Sequence, residues 1–298
     1  MIYKDSEQDI VIPFLKWAGG KRWFCDNYLD LIPDYTGKYI EPFLGGGALF
    51  FALCPRSALL SDLNSDLIST YCSIRRAPFK VYEQLLVHHS AHGKEYYYTT
   101  RAKKPVDSIS RAAWFIYLNR TCWNGLYRVN LKNEFNVPIG TKSNVVMESD
   151  NFLALSQALR SAKLTRSDFE DTIDAAEEGD FVFVDPPYTV KHNFNGFLKY
   201  NDKIFSWSDQ VRLRDAVVRA SSRGAKVMVM NANHKSIRDL YDGFGKQTPL
   251  QRASVLAANS SFRSEIEELL IRSWLPGRPR AAKKGQGESA SSQSTCAK

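Results

Sequence analysis

The chain has 298 residues, 44% of them hydrophobic, which is enough to bury a full core in one large domain or two smaller ones. Its net charge of +8 favours a polyanionic partner such as nucleic acid. The five scattered cysteines exclude a disulfide framework and a zinc site, and no apolar run is long enough to span a membrane. Because the polar start at Met1–Ile10 is unlike a signal peptide, we expect a cytoplasmic protein.

The first part of the chain alternates between strand and helix patterns. Lys38–Phe43 predicts a buried strand that leads into the turn Gly45-Gly46-Gly47 and then into a helix through Leu53. A second strand is predicted at Ala58–Asp62, and a helix follows it at Asp66–Arg75.

The middle segment, residues 67–149, breaks this alternation. Its patterns are helical, notably at Asp107–Leu118, which opens on a possible capping residue. Tyr127–Asn130 and Glu134–Pro138 flank Leu131-Lys132-Asn133 and predict a β-hairpin. We interpret the segment as a mainly helical insertion into one discontinuous domain, residues 1–66 and 150–275.

The second half returns to the alternation. Four further strands are predicted at Ala162–Arg166, Asp180–Asp185, Ala225–Met230 and Glu267–Arg272. A helix is predicted at Ser208–Ser222, with Ser208 as its N-cap and Gly224 just beyond its end. The whole pattern predicts an α/β fold with a doubly wound, Rossmann-like sheet. From Pro276 the composition predicts a disordered basic tail, residues 276–298.

The sharpest chemical signal is the tetrapeptide Asp185-Pro186-Pro187-Tyr188, directly after a predicted strand. Such a tetrapeptide can orient an aromatic amine, for example N6 of adenine. The lone pair of that amine is delocalised into the ring, so methyl transfer requires acceptors that orient its two N–H groups. The Asp185 carboxylate and the Pro186 carbonyl can each accept one, and the two prolines fix that carbonyl. The Tyr188 ring can stack on an extruded base. The structural alternative is a strand that ends in a proline turn with a surface aromatic.

A glycine turn supplies a second signal, Glu41-Pro42-Phe43-Leu44-Gly45-Gly46-Gly47. Glycines between a strand and a helix let a cofactor approach the backbone at the helix N-terminus. Asp62 closes the next strand 17 residues after Gly45, where an acid can hold a ribose diol. The spacing lacks the third glycine of the dinucleotide fingerprint, which argues against NAD. A purely structural turn is the alternative.

The third signal is Phe14-Leu15-Lys16-Trp17-Ala18-Gly19-Gly20-Lys21. It places an aromatic residue and a cation beside a Gly-Gly turn ahead of a helix, which suits an adenine-bearing ligand with a carboxylate. The same residues could equally form an N-terminal segment that packs on the sheet.

Six motifs, in order PFLKWAGGK, EPFLGGGALFF, SDLNSDLI, LNRTCWNGLYRVN, NEFNVPIG and DPPY, resemble those of the Dam-type site-specific DNA adenine-N6 methyltransferases, the α group or D12 class. The resemblance runs from about Pro13 to Trp274. It implies S-adenosylmethionine as methyl donor, no metal, and transfer of the methyl group to N6 of a flipped-out adenine in double-stranded DNA. It also implies catalysis by the tetrapeptide Asp185-Pro186-Pro187-Tyr188.

By motif position, the resemblance implies that the cofactor is bound by Trp17, Lys21, Phe43, Gly45, Gly47, Asp62, Asp168, Phe169 and Asp185. The match at Asp168-Phe169 is looser than the others, because it depends only on position after the strand Ala162–Arg166.

The resemblance makes residues 67–149 the target-recognition region. The DNA contacts that it implies are Lys16, Trp123, Asn124, Leu126, Arg128 and Pro138. Arg128 can make a bidentate contact to guanine O6 and N7, and Trp123 can stack or wedge between bases; without the resemblance, Arg128 would be interpreted as a solvated hairpin arginine. The matches imply GATC or a closely related site, although Trp123 stands where the family often has a smaller aromatic residue. We expect a monomer that associates with the nucleoid through DNA, and whether a restriction endonuclease accompanies it stays open.

Two other features receive no role in catalysis. Asn231-Ala232-Asn233-His234 stands where the family has a Ser-Asn-His-like turn. The histidines of the segment His88–Lys94 invite a metal site, but without a nearby cysteine or acid we interpret them as a solvated helix end.

Three rival functions remain at this point. The first is methylation of another amine, either N4 of cytosine, where the tetrapeptide usually begins with Ser, or a base in RNA. The second is a DNA-binding module without catalysis, which the intact tetrapeptide argues against. The third is an NAD oxidoreductase.

Overall fold

The computed structural model describes residues 11–130, 134–190, 205–252 and 266–274. Within these residues one seven-stranded sheet is formed by β1 (Tyr39–Glu41), β2 (Ala58–Asp62), β3 (Ala162–Arg166), β4 (Phe181–Val184), β5 (Lys226–Ala232), β6 (Lys246–Arg252) and β7 (Ile266–Arg272). The strand order is β3-β2-β1-β4-β5-β7-β6. Strands β3 to β5 in this order are parallel, whereas β7 runs antiparallel to both β5 and β6. The predicted α/β, Rossmann-like fold class is confirmed.

One strand, β6, was not predicted. Its sequence, KQTPLQR, has few apolar residues because it is the last strand of the sheet order, and it pairs with β7 alone. An edge strand buries little of its surface and can accept a proline such as Pro249, which a central strand would exclude. The hydrophobic pattern that identifies the inner strands is therefore weak here.

The helices of the described residues are α1 (Arg22–Asn27), α2 (Ala48–Leu53), α3 (Ser65–Arg76), α4 (Pro78–Ala91), α5 (Lys94–Ala102), α6 (Ser108–Thr121), α7 (Phe152–Leu159), α8 (Phe169–Asp174), α9 (Trp207–Ser222) and α10 (Lys235–Leu240). Short 3₁₀ turns lie at Leu29–Leu31 and Trp123–Gly125. The cap predicted for α6 is confirmed, since the Asp107 carboxylate accepts the N–H groups of Ile109 and Ser110.

The N-cap predicted for α9 was wrong. Ser206, not Ser208, caps the helix, and it forms a capping box in which the Ser206 hydroxyl accepts the Asp209 N–H and the Asp209 carboxylate accepts the Ser206 N–H. A capping box requires an acid three residues after the cap, which Ser206 has in Asp209. Gly224, with φ of +93°, lies just beyond the helix as predicted.

Helices α3 to α7 lie between β2 and β3 in the chain. Ten consecutive residues of α6, Ala112–Thr121, are buried. The aromatic side chains of α6 belong to the same hydrophobic cluster as Phe51 of α2 and Tyr39 of β1. The helical segment therefore shares its core with one face of the sheet. The division of the chain into residues 1–66 with 150–275 and residues 67–149 stays a prediction.

The predicted hairpin arms meet through one antiparallel bridge, between Val129 and Phe135. The Asn130 N–H donates to the Glu134 carbonyl at 2.9 Å, and the Asn136 N–H to the Arg128 carbonyl at 3.1 Å. The tip, Leu131-Lys132-Asn133, lies outside the described residues, as do the chain start and the tail from Pro276 that the sequence analysis considered. Among the described helices, none combines the length and apolar character that a membrane crossing would need.

The two faces of the sheet bury different side chains of the same strands. In β4, Phe181 and Phe183 face one hydrophobic cluster, and Val182 and Val184 face the other. Because both faces are covered, the parallel strands are open only at their ends. The residues that follow the carboxyl ends of β1, β2 and β4 therefore form the open edge of the fold, where α/β proteins bind ligands.

Candidate active site

The glycine turn after β1 lies against the end of β2. The Gly45 N–H donates to Oδ2 of Asp62 at 3.1 Å, and the Asn64 N–H donates to Oδ1 of the same carboxylate at 2.9 Å. Burial raises the pKa of Asp62, and these two hydrogen bonds oppose the rise. Gly45 has φ of +47°, and a Cβ built there would lie 2.7 Å from the Trp17 indole. Glycine is therefore required at position 45 both by the backbone conformation and by the ring beside it.

Trp17 connects this turn to the helical segment. Its ring stacks on Tyr127 at 5.9 Å between ring centres and on Phe115 of α6 at 6.4 Å. The structure thus brings Trp17, Gly45 and Asp62 together, three of the residues that the motifs assigned to cofactor binding.

A second group of residues that the motifs assigned to cofactor binding lies together after the carboxyl ends of β1 and β3. The rings of Phe43 and Phe169 stack at 5.4 Å with an angle of 21°. The guanidinium of Arg212 lies 4.9 Å from the centre of the Phe169 ring and donates to Oδ1 of Asp168 at 3.0 Å. Asp168 also caps α8. Phe43 is half-buried and Phe169 is buried, so Phe43 is the ring of this pair that a base could pack on.

The tetrapeptide follows β4 directly, as predicted. Oδ1 of Asp185 lies 2.8 Å from Nζ of Lys21, and the same ammonium lies 3.4 Å from Oε2 of Glu268 in β7. Lys21 also lies 5.1 Å from the centre of the Tyr188 ring, whose hydroxyl donates to Oε2 of Glu268 at 2.5 Å. We call these four residues, Lys21, Asp185, Tyr188 and Glu268, the carboxylate cluster.

Packing of α1 explains the position of Lys21. The residue directly precedes α1, and Phe24 in that helix stacks on Phe183 of β4 at 6.2 Å. This contact fixes the start of α1 over the end of β4, so the Lys21 side chain reaches Asp185. The cation that the Gly-Gly turn predicted is therefore part of the same site as the tetrapeptide.

The Asp185 carboxyl is 18% exposed and has an altered acidity. Burial raises the pKa of Asp185 to about 6; the positive charge of Lys21 opposes this rise, and the negative charge of Glu268 adds to it. The carboxyl is therefore mainly ionised at neutral pH and can accept hydrogen bonds in a poorly hydrated environment.

Two acids at this edge, Glu41 and Glu268, were not predicted to belong to the site. Glu41 ends β1 and is buried, with the Tyr39 hydroxyl donating to it at 2.9 Å. Burial raises the pKa of Glu41 well above its usual value, and the charges of Asp185 and Asp62 raise it further. The charge state of Glu41 is therefore coupled both to Asp62 at the end of β2 and to Asp185 after β4. The signal for Glu268 was its inward-facing position in a predicted strand, where an acid is rare.

The residues predicted to contact DNA converge around the turn at Trp123–Gly125. The Asn119 side chain accepts the Lys16 N–H at 2.9 Å and donates to the carbonyls of Lys16 and Gly125 at 2.7 and 3.1 Å. The Trp123 N–H donates to the Pro138 carbonyl at 2.9 Å. The structure therefore places Lys16, Trp123 and Pro138 in one region, although they are far apart in the sequence.

Side chains in this region differ in exposure. The Trp123 side chain is 52% exposed, and Asn124, in the left-handed conformation with φ of +54°, is exposed beside it. Arg128 is exposed, and its Nε donates to Asn136 at 2.8 Å. Leu126 packs partly against the core. Burial and the positive charges of Lys142 and Arg120 lower the pKa of Lys16.

The prediction of a solvated helix end is wrong for His88 and His92, whereas His89 is exposed near the end of α4. His88 stacks on Tyr117 at 4.8 Å, and its Nδ1 lies 2.9 Å from the Tyr96 hydroxyl. Nδ1 of His92 lies 3.0 Å from the Tyr117 hydroxyl. Burial lowers the pKa of His88 to about 4. The prediction failed because α5 and α6 supply tyrosines that cover this end of α4. Among the described residues, no group of three potential ligand side chains could hold a metal ion.

Comparisons with known proteins agree with the motifs. Residues 17–254 match the family of D12 class N6 adenine-specific DNA methyltransferases. A Type II methyltransferase of Lactococcus lactis subsp. cremoris is 36% identical, over 88% of this chain and 95% of that protein. A Type II methyltransferase of Methanocaldococcus jannaschii is 34% identical, over 89% and 99% of the two chains. The DNA adenine methylase of Escherichia coli is 29% identical, over 91% and 98%.

These matches span nearly the whole of each relative, so they concern the complete enzyme fold. Membership of this methyltransferase family implies S-adenosylmethionine as the methyl donor. The predicted resemblance is confirmed: the chain belongs to the D12 class of N6 adenine-specific DNA methyltransferases.

Proposed function

We propose that the chain is a site-specific enzyme that methylates N6 of an adenine flipped out of duplex DNA, within GATC or a closely related sequence. The observation that carries the proposal is that Asp185 and Tyr188 directly follow β4, the strand next to the one that leads into the Gly45 turn. Acceptors for the amine and the proposed cofactor residues therefore share one open edge of the sheet.

The amine is oriented by two acceptors of the tetrapeptide. The Asp185 carboxylate accepts one N–H of the adenine N6 amine, and the Pro186 carbonyl accepts the other. This arrangement directs the nitrogen lone pair at the methyl carbon and stabilises the positive charge that develops on the nitrogen. Ionisation of the amine beforehand is not needed. As N6 becomes bonded to the methyl carbon, the bond from that carbon to the sulfonium sulfur would break and the donor would leave as a neutral thioether. The Asp185 carboxylate, which holds one N–H of the amine, would take the proton that the amine loses. Pro187 restrains the backbone, and the Tyr188 ring stacks on the extruded base.

S-adenosylmethionine, when bound, supplies an electrophilic methyl group. The residues that would hold it are Trp17, Lys21, Phe43, Gly45, Gly47, Asp62, Asp168, Phe169 and Asp185. Support comes from the half-buried Asp62, which suits a ribose diol, and from the stacked rings of Phe43 and Phe169. Lys21 has Asp185 and Glu268 as partners, so we propose that it acts at the site mainly by fixing Asp185.

The exposed turn around Trp123 provides the proposed DNA-reading surface. Arg128 contacts a guanine through its planar guanidinium, Trp123 enters the base stack, and Lys16, Asn124, Leu126 and Pro138 complete the reading of the site. Support for a common surface comes from Asn119, which ties Lys16 to the turn. We propose that a monomer carries out this reaction on double-stranded DNA.

Expression in a host without DNA methylation tests the proposal. Long-read sequencing of the host DNA should show N6-methyladenine in GATC or a close relative, and nucleoside mass spectrometry should find N6-methyladenine in the same DNA. A different sequence context would overturn the proposed specificity. N4-methylcytosine as the sole product would overturn the proposed reaction.

A further inference from the structure

Glu268 is a buried acid for which the proposed mechanism has no use. Its side chain is 3% exposed, and it lies opposite Ala232 of β5 and Leu250 of β6. Because β7 runs antiparallel to β5, the first residues of β7 lie beside the carboxyl end of β5. The reversed strand thus delivers an acid to the edge at which the parallel strands end.

Two contacts of Glu268 connect it to the tetrapeptide, one directly and one through Lys21. Its Oε2 accepts the Tyr188 hydroxyl at 2.5 Å and lies 3.4 Å from Nζ of Lys21. The Lys21 ammonium has two further acceptors, Oδ1 of Asp185 at 2.8 Å and the Gly19 carbonyl at 2.7 Å. An ammonium has three donors, so each can have its own acceptor.

Glu268 gives Lys21 a second anionic partner, so Asp185 does not have to neutralise the ammonium alone. Lys21 is 4% exposed. If Asp185 were its only anionic partner, the two would form a buried ion pair, and the ammonium would occupy the Asp185 oxygens. The Tyr188 hydroxyl also acts on Asp185, since it lowers the pKa of that carboxyl. Glu268 attracts both donors, and it thereby competes for the groups that would otherwise occupy the Asp185 oxygens.

We infer that Glu268 is a positioning residue for methyl transfer, which holds Lys21 and the Tyr188 ring so that Asp185 keeps an oxygen for the adenine amine. This inference rests on the proposed roles of Asp185 and Tyr188. Glu268 does not touch the base. It acts through the hydroxyl that anchors the stacking ring and through the ammonium that fixes the acid.

The test is Glu268→Gln, with Glu267→Gln as the matched control. Gln can still accept from Tyr188 but carries no charge for Lys21. Glu267 is the preceding residue of β7, is exposed, and contacts Asn233. We expect Glu268→Gln to lower kcat about tenfold or more, a change of about 1.4 kcal/mol, while KM for DNA changes little. The control should keep the kcat of the parent enzyme.

The pH profile separates positioning from a merely structural role. The charged groups that face Asp185 are Lys21, Glu268 and Glu41, with the Tyr188 hydroxyl beside them. Removal of the Glu268 charge should move the acid limb of kcat/KM to lower pH, because a negative neighbour is lost. Tyr188→Phe should move it to higher pH, because loss of the hydroxyl removes a group that lowers the pKa of Asp185. A structural defect would lower the amount of folded enzyme without either shift.

Three outcomes decide the matter. If Glu268→Gln matches Glu267→Gln in kcat and in pH profile, the inference is wrong. If Glu268→Gln does not fold, Tyr188→Phe keeps the inference testable, because it removes the hydroxyl that Glu268 anchors; a kcat equal to that of the parent enzyme in that variant overturns the inference. Asp185→Ala, measured beside them, separates the two levels: activity retained there overturns the proposed mechanism, whereas activity lost there but kept in Glu268→Gln overturns the role of Glu268 alone.

Discussion

The carboxylate cluster and the turn around Trp123 satisfy their polar groups in opposite ways. In the cluster, Lys21 and Asp185 are mostly buried and paired with each other. At the turn, Trp123 and Arg128 are exposed, and hydrogen bonds secure mainly the backbone around them. Catalysis of methyl transfer benefits from charges fixed in advance in a poorly hydrated site, whereas DNA reading requires side chains that remain available to a partner.

A buried ion pair of Arg120, at the end of α6, fastens the segment around Phe14 to the helical segment. Its guanidinium is fully buried, pairs with both oxygens of Asp150 at 2.6 and 2.7 Å, and donates to the Phe14 carbonyl. A buried guanidinium requires all these partners, because desolvation of an unpaired charge is costly. This buried charge and the neighbouring Asn119, which binds the Lys16 backbone, together hold the start of the described chain against α6.

The largest effect is expected from Asp150→Ala, which leaves Arg120 buried and without its carboxylate. We expect the free energy of unfolding to fall by about 3–5 kcal/mol, measured by urea denaturation. Asp215→Ala removes the exposed partner of Arg214 and should change it by less than about 1 kcal/mol. Equal effects of the two variants would show that burial of the Arg120 pair does not matter.

Asp185→Ala should break the catalytic side of the comparison. Loss of the acceptor for the amine should reduce kcat/KM by about 10²–10³-fold, or about 3–4 kcal/mol, with the fold intact. Methylation rates on a duplex with one target site measure this. Asp239→Ala, which alters an exposed pair with Lys235, is the control. A loss of less than about tenfold in Asp185→Ala would exclude the proposed role.

Arg128→Lys should affect the recognition side alone. Lysine keeps the charge but lacks the planar fork, so we expect discrimination at one base pair of the site to weaken by about 1–3 kcal/mol. Competition between the cognate duplex and duplexes with single substitutions measures this. Lys142→Ala removes an exposed charge near Lys16 and should weaken binding to all these duplexes alike. Uniform weakening by Arg128→Lys would contradict direct base reading.

The smallest effect is expected in the pH dependence of catalysis, which tests whether Asp185 is desolvated in contrast to the exposed side chains of the turn. Burial raises the pKa of Asp185 from 3.8 to about 6, and the ionised carboxylate is the active form. Activity should therefore be full well above pH 6 and fall as the pH drops through this value, by about tenfold at pH 5. The acid limb of kcat/KM, measured in buffers of constant ionic strength, tests this. A limb near pH 4 would show that Asp185 is not desolvated as the structure indicates.

Much of the site was predictable because its residues are sequential neighbours of regular elements. Asp185 and Tyr188 follow a strand that is hydrophobic at every position, and Asp62 ends a strand whose first three residues are hydrophobic. In a parallel sheet the carboxyl ends of neighbouring strands meet at one edge, so the pattern of strands predicts the proximity of these acids. The cap at Asp107 was equally local, because it depends on hydrogen bonds within three residues.

What the sequence alone determined is therefore the α/β class, the order of its motifs, and the acids at the strand ends, since each depends on local pattern. The tertiary structure alone decided that Glu268 meets Tyr188 across 80 residues and that Asn119 binds Lys16 across 103 residues. It also covered His88 and His92 with tyrosines. These contacts join elements by packing and strand reversal, and the partner of a buried polar group is set by whichever distant element closes over it.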